Sequence, residues 1–251
     1  MKIFLDVTDK RNNIVLQELK KLGFDACEYS DMRIVEKGDL CIFSPKKRFN
    51  NEEIATFLNN IQIIGGNITE EQSSLFHSKK IKYINVLQDE RFAIENAKLT
   101  AEGVLNVFYE QTQTSLWDKK FLVIGLGRIG KFLSNIFESL NIDFAIGSFS
   151  EKDSLNSLFY SSKILDNGKF LSRLNEFDVV INTIPKRYFS DFDTFLIKKD
   201  ALFIETASID CLDESQATHF KFVRASGLPQ KYVVQSASNL LLNKILEVIY
   251  A

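Results

Sequence analysis

The chain is 251 residues long, 45% hydrophobic and 25% charged, with 31 Lys plus Arg against 33 Asp plus Glu and a formal charge of −2. At roughly 100–200 residues per domain this length predicts two domains of ordinary globular composition. The charge balance excludes the basic footprint of a nucleic-acid binder, and no apolar stretch nears the roughly 20 residues that span a bilayer.

The N-terminus lacks a signal peptide's long apolar region. Cys27, Cys41 and Cys211 follow no disulfide or metal-ligand spacing, so a reduced, cytoplasmic chain without a metal is expected.

Residues 2–5 read as a strand, followed by a helix over 13–22 in which Ile14, Leu16, Leu19 and Leu22 share a face before Gly23 caps it. Further strands are predicted over 24–29, 40–43, 61–64 and 81–86, with helices over 51–59 and 70–78 between them. Ser44-Pro45 and Gly65-Gly66 mark turns. This alternation is the signature of a parallel α/β sheet.

A long helix runs over about 90–113, with Ala97, Ala101, Val104, Leu105 and Phe108 at spacings of three and four and a break expected near Leu99-Thr100. A second α/β unit opens at Lys119, with strands over 120–124, 143–147, 163–165, 179–182, 201–205 and 221–225, and a final helix spans 236–250.

The predicted fold class is therefore α/β and two-lobed: a doubly wound Rossmann sheet plus a smaller flavodoxin-like N-terminal domain. Residues 1–98 form the N-terminal domain, 99–118 a connecting helix and linker, and 119–235 the dinucleotide-binding domain. The helix 236–251 is expected to pack on the first domain.

The sharpest local signal lies at Phe121-Leu122-Val123-Ile124-Gly125-Leu126-Gly127-Arg128-Ile129-Gly130, an apolar run leading straight into G-x-G-x-x-G and then into helical periodicity. Gly125 permits the tight turn, Gly127 admits a pyrophosphate against backbone, and Gly130 lets helix lie on strand. The helix N-terminus then offers free N–H groups and a positive dipole end to phosphate. NAD or NADP is the cofactor this pattern points to.

An NAD-specific site places an acid about 20 residues past the first glycine. Here that stretch is Ala145-Ile146-Gly147-Ser148-Phe149-Ser150, with no acid before Glu151. Ser148 and Ser150, followed by Lys152, favour a 2′-phosphate and hence NADP; the alternative is that the two serines cap the next helix. Asn182-Thr183-Ile184-Pro185 and Ala207-Ser208 fall just past predicted strands, at the edge where open α/β sheets bind ligands.

These motifs, in order, resemble the dipicolinate synthase family, in its Rossmann-type, dehydrogenase-like component. The resemblance rests on Asp89-Glu90-Arg91, Asn96, Thr100-Ala101-Glu102-Gly103, the glycine turn, Ile181-Asn182-Thr183-Ile184-Pro185, Ala207-Ser208 and Gly227-Leu228-Pro229. It covers roughly residues 85–245, and the first eighty residues match in pattern only.

It implies a nicotinamide-dependent oxidoreductase that turns a dihydrodipicolinate-type cyclic dicarboxylate into dipicolinate, the calcium-chelating acid of bacterial endospores. It also implies a flavoprotein-like second subunit and cytosolic location in the mother cell; a homo-oligomer is a separate expectation. Three departures stand out. Ser208-Ile209-Asp210-Cys211-Leu212 replaces a Pro-Gly-Gly turn, Val234-Gln235-Ser236-Ala237-Ser238 replaces a Pro-Lys-Thr-Ala-Gly run, and Phe149 stands where the family has a basic residue. They bear on the substrate and leave open a redox-silent module or a dehydrogenase of another small acid, 2-hydroxyacid dehydrogenase-like.

The candidate catalytic residues are Glu102, as proton acceptor, and Thr100; the alternative for this pair is an N-cap with an acid complementing the first helical turn. Gly125, Leu126, Gly127, Arg128, Ile129, Gly130, Ser148, Phe149, Ser150, Asn182, Thr183, Ile184, Pro185, Ala207, Ser208, Gly227, Leu228 and Pro229 are the candidate cofactor-binding residues. Asn182 and Thr183 are expected to hydrogen-bond near the nicotinamide or its ribose. Arg91, Lys98, Arg128 and Lys231 could pair with carboxylates or phosphates. His77 and His219 lie outside every motif.

Overall fold

Short apolar runs become the strands of two parallel sheets in the computed structural model, which describes residues 1–31, 34–150, 163–165 and 167–250. The contacts within the chain divide it into two units, Met1–Asn96 with Pro229–Ala251, and Ala97–Leu228.

The first unit holds β1 (Ile3–Leu5), β2 (Ala26–Glu28), β3 (Leu40–Ile42), β4 (Gln62–Gly65) and β5 (Lys82–Asn85), paired in the order β2-β1-β3-β4-β5. Every pair is parallel. Both β1 and β3 are buried throughout, as strands covered on two faces must be. The order is the flavodoxin-like one.

Helix α1 (Lys10–Lys21) starts at Asp9, whose carboxylate accepts from the Arg11 N–H. Helices α2 (Asn51–Thr56) and α3 (Glu70–Ser78) follow, and Thr69 and Gln72 close a capping box on α3. Phe43, Phe49, Phe57 and Phe76 fill one apolar cluster, with Phe49 edge-on to the other three rings. The other cluster joins Val15, Leu16 and Leu19 of α1 to Leu241 and Ile245 of the C-terminal helix α8 (Val234–Tyr250).

The long helix α4 (Glu90–Thr112) is continuous, without the break expected near Leu99. The reason is its buried stripe: Ala97, Ala101, Val104, Val107 and Phe108 continue one face across that point, so packing favours one helix over two. Thr100 is consequently a buried residue inside the helix, not an N-cap.

The second sheet comprises β6 (Phe121–Ile124), β7 (Phe144–Gly147), β8 (Lys163–Leu165), β9 (Val179–Asn182), β10 (Leu202–Glu205) and β11 (Lys221–Arg224) in the order β11-β10-β9-β6-β7-β8. All pairs are again parallel. Read from β8, this is the Rossmann order, with the topological switch between β6 and β9. The expected α/β class, a Rossmann sheet with a smaller flavodoxin-like one, is the observed one.

Helix α5 (Arg128–Ser139) follows β6. Two short helices were not predicted, α6 (Asp191–Phe195) and α7 (Leu228–Tyr232). Their signals were nonetheless present: Ser190 and Asp193 form a capping box for α6, and Pro229 lies in the first turn of α7, where its missing N–H costs nothing.

All three cysteines are free thiols, with Cys41 and Cys211 buried. Among the described residues no cluster of His, Cys, Asp and Glu could hold a metal, and no helix is long and apolar enough to cross a membrane.

Candidate functional site

Strand β6 is wholly buried and delivers the chain to Gly125, whose φ of +101° strains any side chain. A Cβ there would also sit 2.4 Å from Thr183 Oγ1. Gly130 is required for a second reason: its Cβ would fall 1.9 Å from the Gly125 carbonyl oxygen, so α5 lies as close to the strand end as backbone allows.

Between them Gly127 is the N-cap of α5 and supplies no side-chain hydrogen bond. Its Cβ position is open space. Gly127 thus brings no side-chain acceptor to the first turn of α5, and a helix N-terminus of this kind can receive phosphate.

A cavity of about 540 Å³ opens beside this turn, lined by Gly125, Leu126, Gly127, Ser148, Phe149, Ser150, Thr183, Ile184, Pro185, Lys186 and Tyr188. That volume lies within the range of small-molecule and cofactor sites. Its lining combines the glycine turn with the loops after β7 and β9, on both sides of the switch point. Phe149 stands edge-on to Phe170 and Tyr188, at ring-centre distances of 5.1 and 4.7 Å.

Among the described lining residues Lys186 alone is charged. The neighbouring Arg187 is committed to Asp213 by two hydrogen bonds of 2.6 and 2.8 Å. Sequence reasoning missed Lys186 and Tyr188; both lie just beyond the Asn-Thr-Ile-Pro motif, which was the available signal.

The end of β7 carries no acid: Gly147 would clash with Phe170 if it bore a Cβ, 2.8 Å from ring carbon Cγ. Ser148 is buried and accepts from the Ser150 N–H at 3.0 Å. It therefore closes its own turn. Whether the two serines cap a following helix, and where Glu151 and Lys152 lie, falls outside the described residues.

The loop after β9 corrects a sequence reading. Asn182 was expected to contact cofactor, yet it is fully buried. Its Nδ2 donates to the Ile184 carbonyl at 3.0 Å and to both Glu205 oxygens at 2.9 Å. Its Oδ1 accepts from the Ile184 N–H at 3.1 Å and the Tyr188 hydroxyl at 2.7 Å. The amide is spent on holding the loop. Thr183 donates its hydroxyl to the Ile124 carbonyl at 2.8 Å and lines the cavity.

Other candidates do not line it. Arg128 and Ile129 open α5, and neither lines the cavity. Ala207 and Ser208 follow β10 outside the cavity lining, and the Ala207 N–H is used by Glu205 at 2.9 Å. Gly227, at φ +69°, turns the chain into α7. Leu228 there is buried, packing where a Gly103 Cβ would stand 2.5 Å from its Cβ.

Leu228 of the Gly-Leu-Pro motif and Gly103 of Thr-Ala-Glu-Gly are therefore packing partners, and none of Gly227, Leu228 and Pro229 lines the cavity. Glu102 is half-buried on α4. His219 is satisfied by the Ile197 carbonyl at 2.9 Å, and Lys231 lies 2.5 Å from the Tyr232 hydroxyl.

Two parallel sheets in these orders, with a glycine turn at the second, define a Rossmann-type α/β fold paired with a flavodoxin-like sheet. The comparisons with known proteins agree. In sequence the chain resembles a component of dipicolinate synthase from Bacillus subtilis, 21% identical over 210 residues, 78% of this chain and 69% of that protein. The corresponding dipicolinate synthase structure from Bacillus halodurans superposes with a TM-score of 0.82 at 18% identity, covering 100% of this chain and 98% of that one. An NAD-dependent formate dehydrogenase from Staphylococcus aureus, solved with NAD, gives 0.63 at 14% identity, covering 100% and 95%. No protein-family model matches the chain.

Proposed function

We propose that this chain is a nicotinamide-dependent oxidoreductase that converts a dihydrodipicolinate-type cyclic dicarboxylate to dipicolinate. The single observation that carries the dinucleotide part is the glycine turn opening α5 with an empty cap beside the cavity. The substrate part rests on the likeness to dipicolinate synthase.

Gly125, Leu126 and Gly127 with the first-turn N–H groups would hold the pyrophosphate, and Phe149, Ser150, Thr183, Ile184 and Pro185 the nucleoside beside it. The nicotinamide, when bound, supplies a hydride acceptor. Glu102 is assigned the proton acceptor; Thr100, buried inside α4, is left with a packing role. NADP is favoured over NAD, because no acid stands at the end of β7 and Lys186 offers a cation to a 2′-phosphate. Self-association, a flavoprotein-like partner and a cytoplasmic location belong to the same proposal.

A second reading, a redox-silent dinucleotide-binding module, draws on the segment that replaces the family's Pro-Gly-Gly turn. Cys211 and Leu212 in it are fully buried, so they present nothing to a substrate. One assay separates the two readings. Freshly generated dihydrodipicolinate-pathway intermediate is supplied with NADP or NAD, with and without a candidate flavoprotein partner, while nicotinamide reduction and dipicolinate are followed. Turnover is expected. Dinucleotide binding without turnover under every condition would move the assignment to the module.

A further inference from the structure

The carboxylate of Glu205 does not line the cavity, yet its surroundings are unusual. It ends β10, is 2% exposed, and makes no hydrogen bond to a cation among the described residues. Neutral donors hold it: Asn182 Nδ2 on both oxygens at 2.9 Å, the Ala207 N–H at 2.9 Å and the Cys211 N–H at 3.0 Å. The nearest strand's Arg224 is engaged elsewhere, with Asp210 at 2.6 Å and Glu214 at 3.1 Å.

A buried charge held without a counter-ion is costly, and an apolar pair would fill this position with less penalty. What the carboxylate alone offers is a group that only accepts. Acceptors facing Asn182 on the Glu205 side fix which way its amide points: Nδ2 toward Glu205, Oδ1 toward the Tyr188 hydroxyl and the Ile184 N–H. Tyr188 and Ile184 are both wall residues of the cavity. The order of the wall therefore traces back to one acid.

We propose that Glu205 is a positioning residue of the dinucleotide site: its ionised carboxylate orients Asn182, and Asn182 holds Tyr188 and the 183–186 wall in binding geometry. The proposal rests on the dinucleotide reading above. It accounts for a polar network that the sequence presents only as two unconnected strand ends.

The titratable groups facing Glu205 are the Tyr188 hydroxyl, the Cys211 thiol and, at longer range, Arg224. Burial pushes both the phenol and the thiol up, so they stay neutral across the working range. Burial also raises Glu205, against the pull of its Cys211, Ala207 and Asn182 donors. If the ionised form is the one that binds, affinity falls as pH drops through that raised value.

The test measures the affinity of the full chain for NAD and for NADP by calorimetry between pH 5 and 8, with NAD carrying the pH profile because it lacks a titrating 2′-phosphate. E205Q places an N–H₂ against backbone N–H donors and is expected to weaken binding about tenfold, at temperatures where it is folded, and to flatten the acid limb. N182D combined with E205Q restores a donor–acceptor pair and is expected to recover part of the loss.

Y188F, which keeps the ring but removes the hydroxyl, is expected to weaken binding in the same direction by about threefold, and it serves if E205Q does not fold. Affinity and pH profile unchanged in E205Q, or in Y188F where E205Q does not fold, would overturn the positioning role while leaving the dinucleotide reading intact. Failure of the wild-type chain to bind either dinucleotide would overturn both.

Discussion

The two sheets begin alike, each with a buried strand that turns into a helix, and differ in what fills the helix N-terminus. At α1 the cap is Asp9, which accepts from the Arg11 N–H at 3.0 Å, pairs with the Arg11 guanidinium at 3.0 and 2.6 Å and accepts from the Ser44 hydroxyl at 2.7 Å. At α5 the cap is Gly127, with no side chain to give. The first helix is satisfied from within the chain. The second receives no side-chain cap from its own N-cap residue, and a cavity lies beside it. A site of this kind is thus made as much by what a cap residue withholds as by what its neighbours supply.

Three substitutions break or sharpen the contrast. The largest effect is expected from Asp9→Ala, because Asp9 and Arg11 side chains are 1% and 6% exposed and removing one partner strands a buried charge. Stability should fall by about 3–5 kcal/mol in denaturant titration. Burial works against ionised Asp9, but the Arg11 and Ser44 bonds overcome it, and its pKa lies below the usual carboxylate value. Its contribution is therefore present above the unfolded value near 3.8 and lost as pH falls through the folded one. The gap between variant and wild type should accordingly close in acid; a gap that stays constant would sink the ion-pair explanation.

Gly127→Asp makes the second helix resemble the first. The site is open, so an N-cap carboxylate should stabilise the fold by about 0.5–1 kcal/mol. The same charge should repel pyrophosphate and reduce dinucleotide affinity by about a hundredfold, or roughly 2.7 kcal/mol. A thermal midpoint that rises while binding persists would show that α5 is not the phosphate site. Lys186→Gln is expected to have the smallest effect: NADP affinity down about tenfold and NAD affinity unchanged, measured by paired titrations. Equal losses for both would remove Lys186 from the choice of cofactor.

Much of this architecture was legible in the residues. Phe121-Leu122-Val123-Ile124 is buried from end to end and could hardly be anything but a central parallel strand, and Gly125 and Gly130 after it meet the backbone demands that the spacing implied. The errors share one cause. Thr100, a catalytic candidate with an N-cap as its alternative, is neither exposed nor at a helix start, because the apolar stripe of α4 runs on through it. Asn182 looked like a ligand contact because a polar residue ends a buried strand, yet its partner Glu205 stands 23 positions away. Lys186 and Tyr188 lay just past a recognised motif, but only the bend of the loop brings them into the cavity lining.

The sequence by itself determined the two α/β sheets, the glycine turn and the resemblance to dipicolinate synthase, because these depend on residue periodicity and on backbone demands that act over a few positions. The tertiary structure alone decided which polar side chains line the cavity and which are consumed in holding one another. Hydrogen-bond satisfaction in a buried sheet edge pairs groups from different strands, and no spacing along the chain records that pairing.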